Sequence, residues 1–180
     1  MRNKLAFKIA LGGVISALCL MFMFCSGLFP MFDYTIPTFS GFLMVIMIVE
    51  TNAAWAFTTY VAVSFLALLI TPNLQCSLLF VIFMGYYPIL KYFLDKLKLR
   101  PLAWVIKFVV FNAAVVVFYL LFQFVFMTEN MLEGMEKFGK YAELILLAGA
   151  NVFFLIYDYL VGILTNIYVS WFRKRILKRK

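Results

Sequence analysis

Histidine is absent from this chain of 180 residues, which has only three cysteines and eight acidic residues. The lack of histidine excludes imidazole acid–base catalysis and histidine metal sites. Cys19, Cys25 and Cys76 have no CxxC spacing, so neither a disulfide framework nor a thiolate metal site is indicated. Walker, HExxH and GxSxG motifs are also missing. We therefore expect no catalytic residues, no metal and no cofactor, and we do not expect an enzyme.

Apolar residues dominate what is present: 66% of the chain is hydrophobic and 19% is aromatic. A soluble domain of this length cannot bury so much apolar surface, whereas a bilayer is itself an apolar solvent. The apolar residues form continuous runs and not the period-two alternation of transmembrane strands. The composition thus predicts an all-α membrane protein, with a single integral membrane domain over residues 1–180.

The apolar runs predict a bundle of six transmembrane helices, since a span needs roughly 20 residues. The first run is longer than the roughly 7–15 residues of a signal-peptide core, so we expect it to stay as a helix. The second run is short for a perpendicular span. Pro88, in the fourth, should free a backbone carbonyl and bend the helix. The predicted spans lie near 5–25, 38–51, 53–71, 75–94, 104–127 and 142–172.

Charges alternate in sign between these runs. Every basic residue except Lys137 and Lys140 lies near a terminus or near the central segment 91–107, whereas 129–143 is acidic on balance. Cytoplasmic loops of membrane proteins are rich in lysine and arginine. We therefore expect a multi-pass protein of the bacterial plasma membrane with both termini on the cytoplasmic side. Anionic membrane lipid accounts for the positive charge, so no nucleic-acid partner is expected.

Small residues line one face of the first predicted helix. Ala6, Ala10, Gly13 and Ala17 are spaced by four, three and four residues. Such a line lets another helix approach closely, which is how membrane helices associate. The residues alone leave two alternatives open, namely packing within the chain and docking of a partner.

Polar residues lie on single faces of the fifth and sixth predicted helices. Counting inward from the external loop at ~1.5 Å per residue predicts two levels of contact. Tyr119 should face Asn151, and Asn112 should face Asp158, with Gln123 near the mouth. We expect these side chains to converge on one substrate-binding cavity that opens outward, with Tyr34 of the first external loop as a lid. The predicted substrate-binding residues are Tyr34, Asn112, Tyr119, Gln123, Asn151 and Asp158.

Asp158 is the most costly of these residues to insert. An ionised carboxylate at bilayer depth costs ~2.5–3.5 kcal/mol on insertion scales, so such residues often mark a function. Two interpretations remain open. Either the carboxylate is ionised and contacts a ligand, or it is protonated or hydrogen-bonded and only ties its helix to Asn112.

In size, six-helix layout and terminal orientation, the whole chain resembles the substrate-binding (S) components of energy-coupling factor (ECF) transporters, the vitamin-uptake ABC systems of bacteria. The small-residue stripe, residues 15–19 (Ile-Ser-Ala-Leu-Cys) and residues 85–91 (Gly-Tyr-Tyr-Pro-Ile-Leu-Lys) carry the resemblance. It implies a vitamin or a precursor as ligand. It also implies docking of the first helix, through Ala6, Ala10, Gly13 and Ala17, on a transmembrane coupling protein.

The resemblance further implies that two cytoplasmic ATPase subunits supply the energy. Signatures of the riboflavin, thiamine and biotin members are absent, so the ligand stays open. The alternative function is a non-transporting membrane scaffold of the cell-shape type, resembling the rod-shape protein MreD. A scaffold needs no internal polar pocket, whereas a binding subunit does.

Overall fold

A computed structural model describes residues 2–28, 30–126 and 142–172 of the chain, with side chains for residues 5–28, 31–121 and 144–171. Within these ranges the regular structure is helical and contains no strand. The predicted all-α class is confirmed. The predicted external loop near 128–141, which includes Glu133, lies outside the described residues, as does the side chain of Gln123.

The described chain folds into α-helices joined by short connections. A 3-10 turn, Pro30–Phe32, precedes the second helix, and a π-helical segment, Phe80–Met84, joins the fourth to the fifth. Another π-helical segment, Tyr168–Phe172, extends the last helix. The α-helices are α1 (Arg2–Ser26), α2 (Thr35–Glu50), α3 (Ala53–Ile70), α4 (Leu74–Leu79), α5 (Tyr87–Leu94), α6 (Arg100–Phe126) and α7 (Ala142–Ile167).

Five helices of the described part are long and apolar enough to cross a membrane, which makes this a membrane-embedded protein. The second predicted span corresponds to α2, which has only 16 residues. At ~1.5 Å per residue, α2 is about 24 Å long, less than the roughly 30 Å of a hydrocarbon core. Its crossing, the count of six spans and the cytoplasmic termini therefore stay predictions. The five candidate spans are Leu5–Ser26, Ala53–Ile70, Leu74–Leu94, Arg100–Leu121 and Leu144–Trp171.

The fourth predicted span is interrupted near its middle, and neighbouring helices satisfy the backbone there. Pro88 has no N–H, so the carbonyl of Met84 lacks its usual helical donor. The hydroxyl of Tyr157 on α7 donates to that carbonyl at 3.1 Å. One turn earlier, the hydroxyl of Tyr60 on α3 donates to the carbonyl of Val81 at 2.6 Å. Such substitution by side chains is what lets a broken helix persist inside a membrane.

Gly41 brings α2 close to this interruption. A Cβ atom at this position would lie 2.4 Å from the carbonyl oxygen of Met84 and 2.6 Å from the hydroxyl oxygen of Tyr157. Because real side chains cannot approach so closely, only glycine fits here without a shift of the backbone. The short helix α2 is therefore packed tightly into the bundle.

Two buried clusters form the core. The first joins α1, α2, α3 and α4 through side chains such as Cys19, Met44 and Ala56. The second is largely aromatic and joins the π-helical segment to α5, α6 and α7. Within it, the rings of Phe83 and Phe111 are 5.1 Å apart between centroids. The aromatic cluster lies near the middle of the fourth predicted span, of α6 and of α7.

Candidate functional site

Two regions at opposite ends of the bundle hold the residues of interest. We name the ends after the predicted orientation. The outer end carries the connections 27–34 and 71–73, and the inner end carries the connection 95–99.

An apolar cavity of about 760 Å³, the outer cavity, lies between the π-helical segment, α6 and α7. Buried Phe83, Met84 and Phe111 form its deepest part. None of the described residues that line it is charged, and its polar side chains are the tyrosines Tyr34 and Tyr119. The structure thus places two of the predicted substrate-binding residues at one cavity.

Tyr34 is held at the outer end by neighbouring polar groups. Its hydroxyl accepts a hydrogen bond from the Gln75 side-chain amide at 3.1 Å. The adjacent Asp33 carboxylate accepts one from the Asn73 amide at 2.7 Å. These bonds join the first outer connection to the second, above the cavity. The role of Tyr34 as a lid stays a prediction, but its position fits that role.

Asn112 and Asn151 do not line the outer cavity, because their amides bind each other. Each amide nitrogen donates to the other's oxygen at 3.1 Å, which joins α6 to α7. Each also donates to a backbone carbonyl one turn earlier, at 2.9 Å to Phe108 and 2.8 Å to Leu147. The predicted levels are therefore wrong, since Asn151 faces Asn112 and not Tyr119. The count assumed that both helices enter at equal depth, which tertiary packing does not require.

Asp158 lies at the inner end, in a cluster of charges that we call the ion cluster: Lys91, Asp95, Lys107 and Asp158. The Oδ1 atom of Asp158 accepts hydrogen bonds from Lys91 Nζ at 2.6 Å and from Lys107 Nζ at 3.1 Å. The hydroxyl of Tyr87 donates to the same oxygen. Lys107 also binds Asp95 at 2.7 Å, and Lys91 lies 3.8 Å from that carboxylate.

The ion cluster is balanced and mostly buried. Its two lysines and two aspartates cancel in formal charge. Asp95 has 51% of its side chain exposed, whereas the other three are 5–11% exposed. A buried charge without a partner is costly inside a membrane, and pairing is what makes Lys91, Lys107 and Asp158 tolerable. Because the lysines come from α5 and α6 and Asp158 from α7, the cluster ties three helices together.

Neither interpretation of Asp158 from the sequence matches this geometry. Two ammonium groups donate to one carboxylate oxygen, which is the arrangement of an ionised Asp158. That carboxylate binds lysines, however, and it neither contacts Asn112 nor lines the outer cavity. The prediction that the polar residues of α6 and α7 converge on one outward cavity is therefore wrong for Asn112, Asn151 and Asp158.

Sequence reasoning missed the lysine partners of Asp158. Lys107 belongs to the basic central segment 91–107, yet it also lies inside the predicted span 104–127. A lysine inside an apolar helix requires an opposite charge at the same depth. Asp158, in the next antiparallel helix, was the available candidate, so the signal was present in the sequence. Of the described residues, no group of three or more histidine, cysteine or acidic side chains is placed to hold a metal.

The small-residue stripe on α1 is not covered by any described part of the chain. Ala6, Ala10, Gly13 and Ala17 are all exposed, and a Cβ atom added to Gly13 would meet nothing within 4 Å. The other face of α1 packs on α2 and α3 through residues such as Ile15. No described residue thus packs on the stripe, and docking of a partner there stays a prediction.

Comparison of the chain with protein-family models, with curated proteins and with solved structures gave no match in any of the three.

Proposed function

We propose that this chain is the substrate-binding subunit of an ECF-type uptake transporter. It binds a vitamin-like small molecule at the outer end and depends on partner proteins for energy. The proposal rests on one observation: two surfaces that no described residue covers lie on different parts of the bundle. An apolar cavity lies on the α6–α7 side of the bundle, and a stripe of small residues lies exposed on α1.

The outer cavity supports the ligand-binding half of the proposal. Its volume of about 760 Å³ lies within the roughly 300–1,000 Å³ of small-molecule sites, which are mostly apolar with few polar groups. Tyr34 and Tyr119 supply such polar groups here. The interruption of the fourth span lies beside the cavity, since Phe83 and Met84 belong to both. Irregular backbone at membrane depth is tolerated only where protein buries it or where it lines a water-filled cavity.

The stripe on α1 supports the partner-docking half. Membrane helices associate by close packing of small residues, since lipid is as apolar as leucine and gives no hydrophobic driving force. An uncovered stripe is therefore a surface onto which another transmembrane helix fits, here one of the coupling protein. The chain has no Walker motif, so ATP hydrolysis falls to the cytoplasmic partners.

Two matched glycine variants test the proposal. A Cβ atom at Gly13 or at Gly149 would meet nothing within 4 Å, so Gly13→Leu and Gly149→Leu should both fold. Gly149 lines the outer cavity, whereas Gly13 lies in the stripe. Tagged chains are purified from their own cells, and the captured proteins and small molecules are identified by mass spectrometry.

We expect Gly13→Leu to lose the membrane partner and the ATPases while keeping its small molecule. Gly149→Leu should show the reverse pattern. If the wild-type chain captures no ATPase, the proposal that it is a transporter subunit is refuted. Loss of both properties in both variants shows that the two surfaces are not separate and contradicts the argument from geometry.

The internal pairing of polar residues favours a second candidate, the non-transporting scaffold. Asn112 binds Asn151, and Asp158 binds two lysines, so these groups act as connections between helices. A scaffold needs only such connections and an exposed docking surface. In the same purification, a scaffold would capture envelope-assembly proteins through the stripe and release no small molecule.

A further inference from the structure

We infer that the outer cavity takes an uncharged, largely apolar molecule with an aromatic ring system, oriented with its polar end outward. This inference rests on the proposed function, since it names the class of ligand for the same cavity.

The absence of charge in the described lining is the first argument. A charged group of a ligand would lose its water in the cavity and find no opposite charge, which is strongly unfavourable. The nearest buried charges cannot serve, because Lys91 and Lys107 already bind Asp158 at the inner end. The aromatic cluster, with Phe154 and Tyr157 fully buried, lies between them and the cavity.

Aromatic rings in the wall are the second argument. Phe83 and Phe111 lie in the deepest part, and Phe118 and Phe153 belong to the sides. Aromatic side chains prefer offset-stacked or edge-to-face partners, so a flat ring system gains contacts here that a flexible chain does not. Phe111 stacks on Phe154 at 4.6 Å between centroids and meets Phe83 edge-to-face at 5.1 Å, so these rings are held in the wall by one another.

The position of the hydroxyls is the third argument and sets the orientation. Tyr34 lies in the first outer connection, and Tyr119 lies eight residues outward of Phe111 on α6, or about 12 Å at ~1.5 Å per residue. Polar lining is thus found toward the outer end and apolar lining at the floor. A bound molecule would place its hydrogen-bonding groups near the tyrosines and its rings against Phe83 and Phe111.

A matched pair of fluorescent probes tests the class of ligand. The probes 9-anthracenemethanol and 9-anthracenecarboxylate share one ring system, and only the second is charged at pH 7. Binding to the full chain in phospholipid nanodiscs is measured by equilibrium dialysis, with empty nanodiscs of the same lipid as the baseline. Gly149→Leu narrows the cavity. Val152→Leu, on the same helix, is exposed and does not line the cavity, so it is the control.

We expect saturable binding of the alcohol, at least tenfold tighter than that of the carboxylate, in the wild type and in Val152→Leu. Gly149→Leu should lose the saturable binding of the alcohol. Equal or tighter binding of the carboxylate, or no saturable binding of either probe, overturns the inference. The inference is also overturned if native mass spectrometry finds a bound phospholipid on the wild type but not on Gly149→Leu. Capture of the ATPases through the α1 stripe is unaffected by any of these results, so the proposed function is judged separately.

Discussion

Replacing Asp158 with asparagine is expected to destabilise the bundle without changing ligand affinity. The variant removes the negative charge that Lys91 and Lys107 share, at 2.6 Å and 3.1 Å. Two buried ammonium groups would then have only the half-exposed Asp95 as a counter-charge. Neither Asp158 nor its two lysines line the outer cavity, so the cavity loses no contact.

The structure sets the expected magnitude. Removing one partner of a buried ion pair costs about 3–5 kcal/mol. Lys107 retains its 2.7 Å contact with Asp95, whose exposure admits water, so the lower value applies. For a chain of this length each kcal/mol shifts the unfolding temperature by roughly 2–4 °C, so about 3 kcal/mol predicts a loss of about 6–12 °C. Asp33→Asn is the control, since it changes an aspartate at the outer end that has no lysine partner among its hydrogen bonds.

A compensating variant separates charge balance from other causes. Asp158→Asn combined with Lys91→Met removes one charge of each sign and leaves the pair of Lys107 with Asp95. We expect this double variant to regain at least half of the lost stability, with a coupling energy above about 1 kcal/mol, as found for residues in one network. The assay is thermal unfolding in detergent, with ligand affinity measured in parallel.

Two outcomes would refute this reasoning. A double variant less stable than Asp158→Asn would show that charge balance is not what holds the cluster. A tenfold or greater loss of ligand affinity in Asp158→Asn, with unchanged unfolding temperature, would place the carboxylate in contact with the ligand.

Three further predictions address orientation, packing and the amide pair. In a background without the native cysteines, an impermeant thiol reagent applied from outside should miss Lys98→Cys and modify Glu133→Cys, and the opposite pattern would reverse the orientation. Gly41→Ala should cost about 1–3 kcal/mol of unfolding free energy, because its Cβ would lie 2.4 Å from a carbonyl oxygen. Gly149→Ala, the control, should be neutral or slightly stabilising, and equal melting temperatures of Gly41→Ala and Gly149→Ala would contradict the close packing at Gly41. Asn151→Ala should lower the unfolding free energy by about 0.6 kcal/mol, a typical value for hydrogen bonds between membrane helices. A loss of ligand affinity in this variant would show that Asn151 belongs to the binding site.

Helix content and helix limits could be predicted closely from the sequence. The third predicted span, 53–71, corresponds to Ala53–Ile70, and the sixth, 142–172, to α7 with its π-helical extension. Pro88 correctly marked the interruption of the fourth span. These features are local, because a helix in an apolar solvent must satisfy its backbone within its own segment.

Depth and contact between helices could not be predicted in the same way. The four-residue and seven-residue spacings correctly placed polar residues of α6 and α7 on faces that meet, but not at the right level. Asn112 binds Asn151, and Asp158 binds Lys91 and Lys107. A shift of one helix along another changes every partner while leaving each helix's own pattern unchanged, so a single sequence does not determine it.

The sequence by itself determined that this is an all-helical membrane protein with small residues in line on α1, because periodicity and apolar length act within one helix. Only the tertiary structure decided which faces are covered. No described residue covers the stripe at Gly13, and the buried charge of Asp158 holds three helices together through its lysine partners. The physical reason is that coverage and pairing depend on where distant helices lie, and those positions result from the packing of the whole bundle.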